Sequence, residues 1–325
     1  MFLVTDLVTQ IRNDMFDTVC FRLLKEEATG ADFLSETPCY LTDIGEHYYN
    51  GVPCISGNLS GLKVWVSQSA VRVKDGSLCK FYLGDNFKTL GRRDTQRAIE
   101  MLSDMLHLPM DRADITRIDV AENMIMKHPV SVYLNHLGQL ARATRLPEPS
   151  GLYYRIGDEC LCFYDKPKEQ KNHHNPIPQL YQDRNVLRYE QRYLNRIAAR
   201  LKEERITGGT LCAEQFYIKL LINWRDRYKA ITKINDVTLN FDAMTTKQQL
   251  YKMGLLALAE KVGGQLELIN QIVEAKKRGD LTKKQAFDFK KAINDAFLLK
   301  GGLTAPNDAI QELDKKIVEA VRFFR

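Results

Sequence analysis

The chain has 325 residues, 44% of them hydrophobic, and its 47 lysines and arginines against 41 acids leave a formal charge of +6. That length can fill more than one core, and the modest basic excess suits a polyanionic partner without demanding one. No apolar run is long enough to span a membrane, and the start, MFLVTDLVTQIRNDMF, carries acids where a signal peptide needs a basic region and a cleavage site, so a cytoplasmic protein is expected.

In chain order, DMFDTVCFRLL (residues 14–24) alternates as a buried strand does. Residues from about 26 to 61 are rich in Gly, Pro and Ser and read as irregular. The stretch LKVWVSQSAVRVKDGSLCKFYLG reads as a hairpin turning at Lys74-Asp75-Gly76-Ser77. RRDTQRAIEMLSDMLHL follows, with Ala98, Ile99, Met101, Leu102, Met105 and Leu106 on one helical stripe. Next come a strand at DITRIDVAEN, a helix across VSVYLNHLGQLA, strands near LYYRIG and CLCFYDK, the loop NHHNPIPQ, and a strand at NVLRYEQRYL. Beyond ITGGT (residues 206–210) the segments AEQFYIKLLINWRDRYKAI, TKQQLYKMGLLALAEKV and TKKQAFDFKKAINDAFLL all have helical periodicity, and Thr282 with Gln285 forms a capping box. The expected fold is α+β. A mainly antiparallel sheet with packed helices spans residues 1–206, and a helical domain for DNA or partner binding spans 207–325.

Two strands repeat a small pattern. Arg117-Ile118-Asp119 and Arg188-Tyr189-Glu190 each place an arginine and an acid on one strand face, and Arg192 joins the second set. A carboxylate buried in a sheet is costly unless paired, so each acid can simply be the partner of an arginine two residues away. A second reading brings in Asp17, which alternation places on one face with Met15, Val19 and Phe21. If the three strands are neighbours, Asp17, Asp119 and Glu190 can form an oxygen-rich site of the kind Mg²⁺ or Mn²⁺ prefers.

In CLCFYDKPKEQK, Tyr164 shares a strand face with Cys160, Cys162 and Lys166. A phenol with a pKa of about 10 is a weak nucleophile at neutral pH. A neighbouring cation, here Lys166, and a metal-polarised phosphoryl group would offset that. An amphipathic tyrosine at the edge of a core is the alternative. The seven cysteines are scattered, and Cys160-x-Cys162 lacks the CxxC spacing of a metal or redox site, so reduced thiols are expected. His173 and His174 are adjacent and make a poor bidentate site.

Taken in order, MFDTVCFRL, TRIDVAEN, CFYDKPKEQ and LRYEQRYLNR resemble the replication initiators of filamentous phages, the gene II/X family, and the related Rep_trans plasmid initiators of rolling-circle replication. The resemblance runs from residue 14 to about residue 200. It implies Tyr164 as nucleophile and Asp119 and Glu190 as ligands of Mg²⁺ or Mn²⁺, with Asp17 a weaker match. The implied chemistry is origin nicking and rejoining through a 5′-phosphotyrosine, on single-stranded or supercoiled duplex DNA, with host replication proteins as further partners. Arg117, Lys168, Arg188 and Arg192 would grip phosphates, as would the tail cluster Lys276, Lys277, Arg278, Lys283, Lys284, Lys290 and Lys291. A conjugative relaxase with the same chemistry, or a non-catalytic DNA-binding regulator of the same fold, are the alternatives.

Overall fold

The structure, a computed structural model, describes residues 15–49, 51–234, 236–237, 246–298, 304–305 and 307–322. Ten strands form one antiparallel sheet: β1 (Phe16–Leu24), β2 (Thr42–Tyr49), β3 (Val52–Leu59), β4 (Leu62–Ser67), β5 (Ala70–Lys74), β6 (Asp114–Met126), β7 (Thr144–Glu148), β8 (Gly151–Ile156), β9 (Glu159–Asp165) and β10 (Asn185–Tyr193). Their order across the sheet is β2-β3-β4-β5-β1-β6-β10-β9-β8-β7. The chain follows the same route twice. It lays a central strand, jumps to an edge, and returns by a meander to pair with that central strand. β1 and β6 are the two central strands and pair antiparallel with each other, so the halves are related as if by a two-fold axis through the sheet.

Side chains of directly paired residues lie on the same face. One face is apolar. It carries Phe16, Val19 and Phe21 from β1, Ile118 and Val120 from β6, Phe163 from β9, and Tyr189 and Tyr193 from β10. Phe163 stacks on Tyr189 at 4.3 Å between ring centres, and Tyr189 on Trp224 at 4.5 Å. Trp224 belongs to the helix Glu214–Ala230, and its ring is fully buried. The helices Arg92–Leu106, Val130–His136 and Asp308–Arg322 contribute to the same core through Leu102, Tyr133 and Leu313, among others. The opposite face is polar and holds the residues singled out above.

A β-bulge decides where Asp17 points. Phe16 pairs with Val120 and Val19 with Ile118, so β1 spends one residue more than β6 over that step. Phe16 and Val19 therefore both face the core and Asp17 faces the polar side. Simple alternation had grouped Asp17 with Val19 and Phe21.

Several expected elements are corrected. The hairpin of residues 62–74 turns between Ser67 and Ala70, and LCKFYL is a helix, Leu78–Leu83. The Ser77 side chain accepts from the Lys80 N–H at its start, and Gly84 closes it with φ +81°. The stretch read as irregular contains the β2–β3 pair, whose intervening sequence is Asn50-Gly51, a strong hairpin signal. The charged run after Tyr164 is a helix, Lys166–Asn172, capped by Asp165.

Packing also runs across the expected boundary at residue 206. Glu214–Ala230 and Asp308–Arg322 lie in the core of the sheet domain, and Tyr133 hydrogen-bonds Glu312 while Tyr228 donates to Asp314 at 2.6 Å. The helices Lys247–Lys261, Gln265–Arg278 and Lys283–Phe297 pack on one another around Met253, Leu256, Leu268 and Ile293. The Thr282 capping box is present as expected. No helix among the described residues is long and apolar enough to cross a membrane.

Candidate active site

The polar face concentrates its functional groups where β9, β10 and β6 run side by side. Arg188 pairs with Tyr164 on one side and Asn123 on the other, and Arg192 pairs with Cys160 and Asp119. Tyr164 is the penultimate residue of β9, and the chain turns directly into the helix Lys166–Asn172 with Asp165 accepting from the Lys168 N–H at 2.9 Å. This strand-to-helix turn roofs the phenol on one side. On the other side its cross-strand neighbour in β8 is Gly151, which has no side chain to cover it. A cleft of about 290 Å³ results, lined by Ser150, Tyr153, Tyr164, Glu169, Asn172, His173 and Arg192.

A chain of charged contacts leads away from the phenol. Tyr164 Oη donates to Glu190 Oε2 at 3.3 Å, and Arg192 Nη2 donates to the same oxygen at 2.8 Å. Arg192 Nε stands 3.9 Å from Asp119 Oδ2. Arg117 clamps Asp119 with two bonds, Nε to Oδ1 at 2.9 Å and Nη2 to Oδ2 at 2.6 Å. Arg188, fully buried, donates to Asp17 Oδ2 at 2.8 Å and to Asn123 Oδ1 at 3.2 Å, and Ser77 Oγ donates to the other Asp17 oxygen at 2.6 Å.

These contacts set the proton affinities. Burial first, then the charge of Glu190, push the Asp119 carboxyl up to about 7 against the pull of Arg117 and Arg192. Burial pushes Glu190 the same way but is outweighed by Arg192 and Arg188, which hold it down to about 2. Of the pair, Glu190 is the carboxylate held ionised and Asp119 the one pushed toward its protonated form. Burial and then Glu190 push the Tyr164 phenol well above its ordinary range, with Arg188 pulling the other way.

Of the residues singled out in the sequence, Tyr164, Glu190, Arg192, Asp119 and Arg117 come together. Asp17 lies on the same face but is tied to Arg188. Lys166 starts the helix; its buried ammonium pairs with Glu169 at 2.9 Å and stands over the Phe87 ring, so the cation beside the phenol is Arg188. Burial and then Arg188 push that ammonium down. Arg188 has no exposed surface, which corrects its expected role in gripping phosphate, whereas Lys168 is exposed and Arg117 and Arg192 are each 30% exposed. Sequence reasoning missed Tyr153, which faces Cys162 across the β8–β9 pair, whereas His173 is exposed to solvent, 66% by its side chain, at the lining of the cleft. The alternation in LYYRI was the available signal for Tyr153. The cysteines are all free thiols, with Cys160 and Cys162 sulfurs 3.7 Å apart behind the phenol.

The donor set bears on the expected cation. Asp119 and Glu190 are buried, hard-oxygen donors whose mutual repulsion a divalent ion would relieve, and the partly exposed Arg117 and Arg192 supply that charge here. Those two carboxylates suit Mg²⁺ or Mn²⁺. Asp17 does not, because the guanidinium that holds it, Arg188, is fully buried, whereas the arginines on Asp119 and Glu190 are partly exposed and can turn to solvent. Among the described residues no three His, Cys, Asp or Glu are grouped to hold a metal.

A family model, Phage_CRI, which describes the N-terminal part of a phage replication-associated protein, matches residues 15–227. The chain belongs to this phage replication-protein family. The Phage_CRI match spans well over half the chain, contains all ten strands and every residue of the cleft, and ends within Glu214–Ala230. It assigns the protein to phage replication. A search of curated proteins finds no match. The three-helix unit at residues 247–297 lies beyond the Phage_CRI region.

Proposed function

We propose that the chain initiates phage DNA replication by cutting and rejoining one DNA strand through Tyr164. The observation that carries this reading is the Tyr164 hydroxyl itself. Tyr164, only 8% exposed, lines a cleft with Arg192, its hydroxyl is hydrogen-bonded to a buried carboxylate, and it lies inside the region that matches a replication-protein family.

In the cutting step the Tyr164 oxygen attacks phosphorus, the bond from phosphorus to the 3′-oxygen breaks, and the 5′-phosphate remains on the tyrosine. The phenol proton passes to Glu190, the acceptor it already touches. At rest this is uphill, because Arg192 and Arg188 hold Glu190 ionised. A scissile phosphate entering the cleft competes for Arg192, weakens its hold on Glu190 and raises the basicity of that carboxylate. Arg192 then faces the charge that develops on the phosphoryl oxygens. The departing 3′-oxygen takes up the proton that Glu190 received. Attack by a 3′-hydroxyl on the phosphotyrosine, with that hydroxyl's proton passing back through Glu190 to the phenolate, reverses the sequence. Asp119 and Glu190 would hold a Mg²⁺ or Mn²⁺ ion, which when bound supplies positive charge that polarises the phosphoryl group. The family match to a phage replication protein favours this role over that of a conjugative relaxase.

The arginine pairing of Asp17, Asp119 and Glu190 favours a second reading, a non-catalytic DNA-binding protein of the same fold. One experiment separates them. A labelled oligonucleotide is incubated with the protein and Mg²⁺ or Mn²⁺ and resolved under denaturing conditions. A protein-linked band for the native chain and its loss in Tyr164→Phe, with DNA binding retained, supports strand transfer. Binding without any linked band supports the second reading.

A further inference from the structure

The half of the sheet without Tyr164 carries an unassigned cluster on the same polar face. Trp65 sits mid-β4 and is half-buried, with the His47 ring against it at 5.0 Å between centres. Lys63 Nζ and Lys74 Nζ stand 5.0 and 5.7 Å from the centre of its ring. Straight across the strands, Trp65 pairs with Arg72 of β5, and Arg72 pairs with Arg22 of β1. Lys63, Arg72 and Lys74 are exposed, and none of the three is ion-paired among the described residues. An indole ringed by cations would be an odd surface in isolation. Here the register continues it diagonally: two residues along β1 from Arg22, Cys20 pairs with Arg117, and two along β6 Asp119 pairs with Arg192. Arg72, Arg22, Arg117 and Arg192 thus step across β5, β1, β6 and β10 on one face to the Tyr164 cleft, the last three each also ion-paired, to Asp114, Asp119 and Glu190. Beside the cluster, Asp43 and Asp75 line a cleft of about 340 Å³ with Lys63.

We propose that Trp65 is a second binding site, a stacking platform for a base of single-stranded DNA whose backbone follows the arginine path to Tyr164. The inference rests on the reading that the substrate is DNA. An aromatic face accepts any base, and flanking lysines and arginines neutralise the backbone, which is the combination that binds single strands without sequence preference. The path also fixes a length. Through the register Trp65 is level with Asp114 of β6 and Tyr164 with Asn123, so the two lie five strand spacings across and nine residues along the sheet, roughly 24 Å by ~30 Å, or on the order of 38 Å. A stacked strand advancing ~3.4 Å per nucleotide covers that in roughly eleven nucleotides.

The fluorescence of the full chain tests this, because it has two tryptophans and Trp224 is fully buried, leaving Trp65 to report contact. Without divalent metal, a single-stranded oligodeoxynucleotide of about 14 nucleotides should quench the emission, and one of about 4 nucleotides, too short to join the two sites, should bind more weakly. In Trp65→Ala the long oligonucleotide should lose on the order of tenfold in affinity, with the short one and a blunt duplex nearly unaffected. Unchanged affinity of Trp65→Ala for a long strand that the native chain does bind would overturn the platform and leave the Tyr164 reading intact. Equal weakening toward duplex and single strand would overturn base stacking. Failure of the native chain to bind either strand would overturn the DNA reading and the platform together.

Discussion

The hydroxyl of Tyr164 reaches Glu190 diagonally across two strands: it donates over 3.3 Å to a carboxylate two residues along β10 from Arg188, its direct partner. The phenol thus lies between a proton acceptor and a buried guanidinium. Glu190→Gln preserves the shape of the contact but removes the acceptor's charge. Formation of the protein–DNA adduct should slow by about 10²- to 10⁴-fold, with DNA affinity little changed. Single-turnover rates on a labelled oligonucleotide give the answer, and an unaltered rate would mean that the proton leaves by another route.

Arg188 is structural in this arrangement. It is fully buried, and it is the guanidinium bonded to Asp17, itself 9% exposed. Replacing Arg188 with methionine leaves that carboxylate uncompensated, which costs about 3–5 kcal/mol when a buried pair is broken. Urea unfolding should show the loss. Asp17→Asn in the same background should recover part of it, whereas a loss equal to that of a surface substitution would contradict the pairing.

Asp119 should make the metal-free protein less stable as pH rises. Its carboxyl stands raised to about 7, above the ordinary value near 4. Between those values the folded chain holds a proton that the unfolded chain has released, so stability falls across that window and stays low above it. Asp119→Asn cannot ionise and should lack this decline. Melting temperatures measured at about pH 5 and about pH 8 should therefore diverge, with the variant gaining on the native chain at the higher pH. Glu190 works in the opposite sense. Held down to about 2, it contributes stability above its ordinary pKa that is lost as pH falls toward 2.

Trp224 tests whether the helix beyond the sheet belongs to its cooperative unit. Trp224→Ala removes a fully buried ring stacked on Tyr189 and should cost about 3–5 kcal/mol. The sheet and the helix Glu214–Ala230 should unfold in one transition. A separate early transition of the helix would show that the packing is weaker than the stacking suggests.

The sequence was informative where chemistry and alternation coincide. The strands bearing Arg117-Ile118-Asp119, Tyr164 and Arg188-Tyr189-Glu190 stand where their periodicity put them, because one face is apolar and a slip would invert it. The alternative in which acids pair with arginines two residues away holds for Asp119 with Arg117 and for Glu190 with Arg192. The pairing of Arg188 with Asp17 was out of reach. It spans 171 positions and depends on a bulge that local alternation does not reveal. The Trp65 row is likewise a product of register, since Trp65, Arg72 and Arg22 become neighbours only when three strands align. Helix Leu78–Leu83 could have been found from its Ser77 cap and Gly84 stop, which a hairpin reading of the same residues passed over.

The most direct measurement is to locate the DNA link itself. The native protein is reacted with an oligonucleotide carrying a cuttable bond and Mg²⁺ or Mn²⁺, digested with trypsin, and the DNA-bearing peptide is sequenced by mass spectrometry. The expected result is a 5′-phosphate esterified to Tyr164. A link to Tyr153, the other tyrosine of the cleft, or the absence of any linked peptide while the DNA is cut, would contradict Tyr164 as the nucleophile.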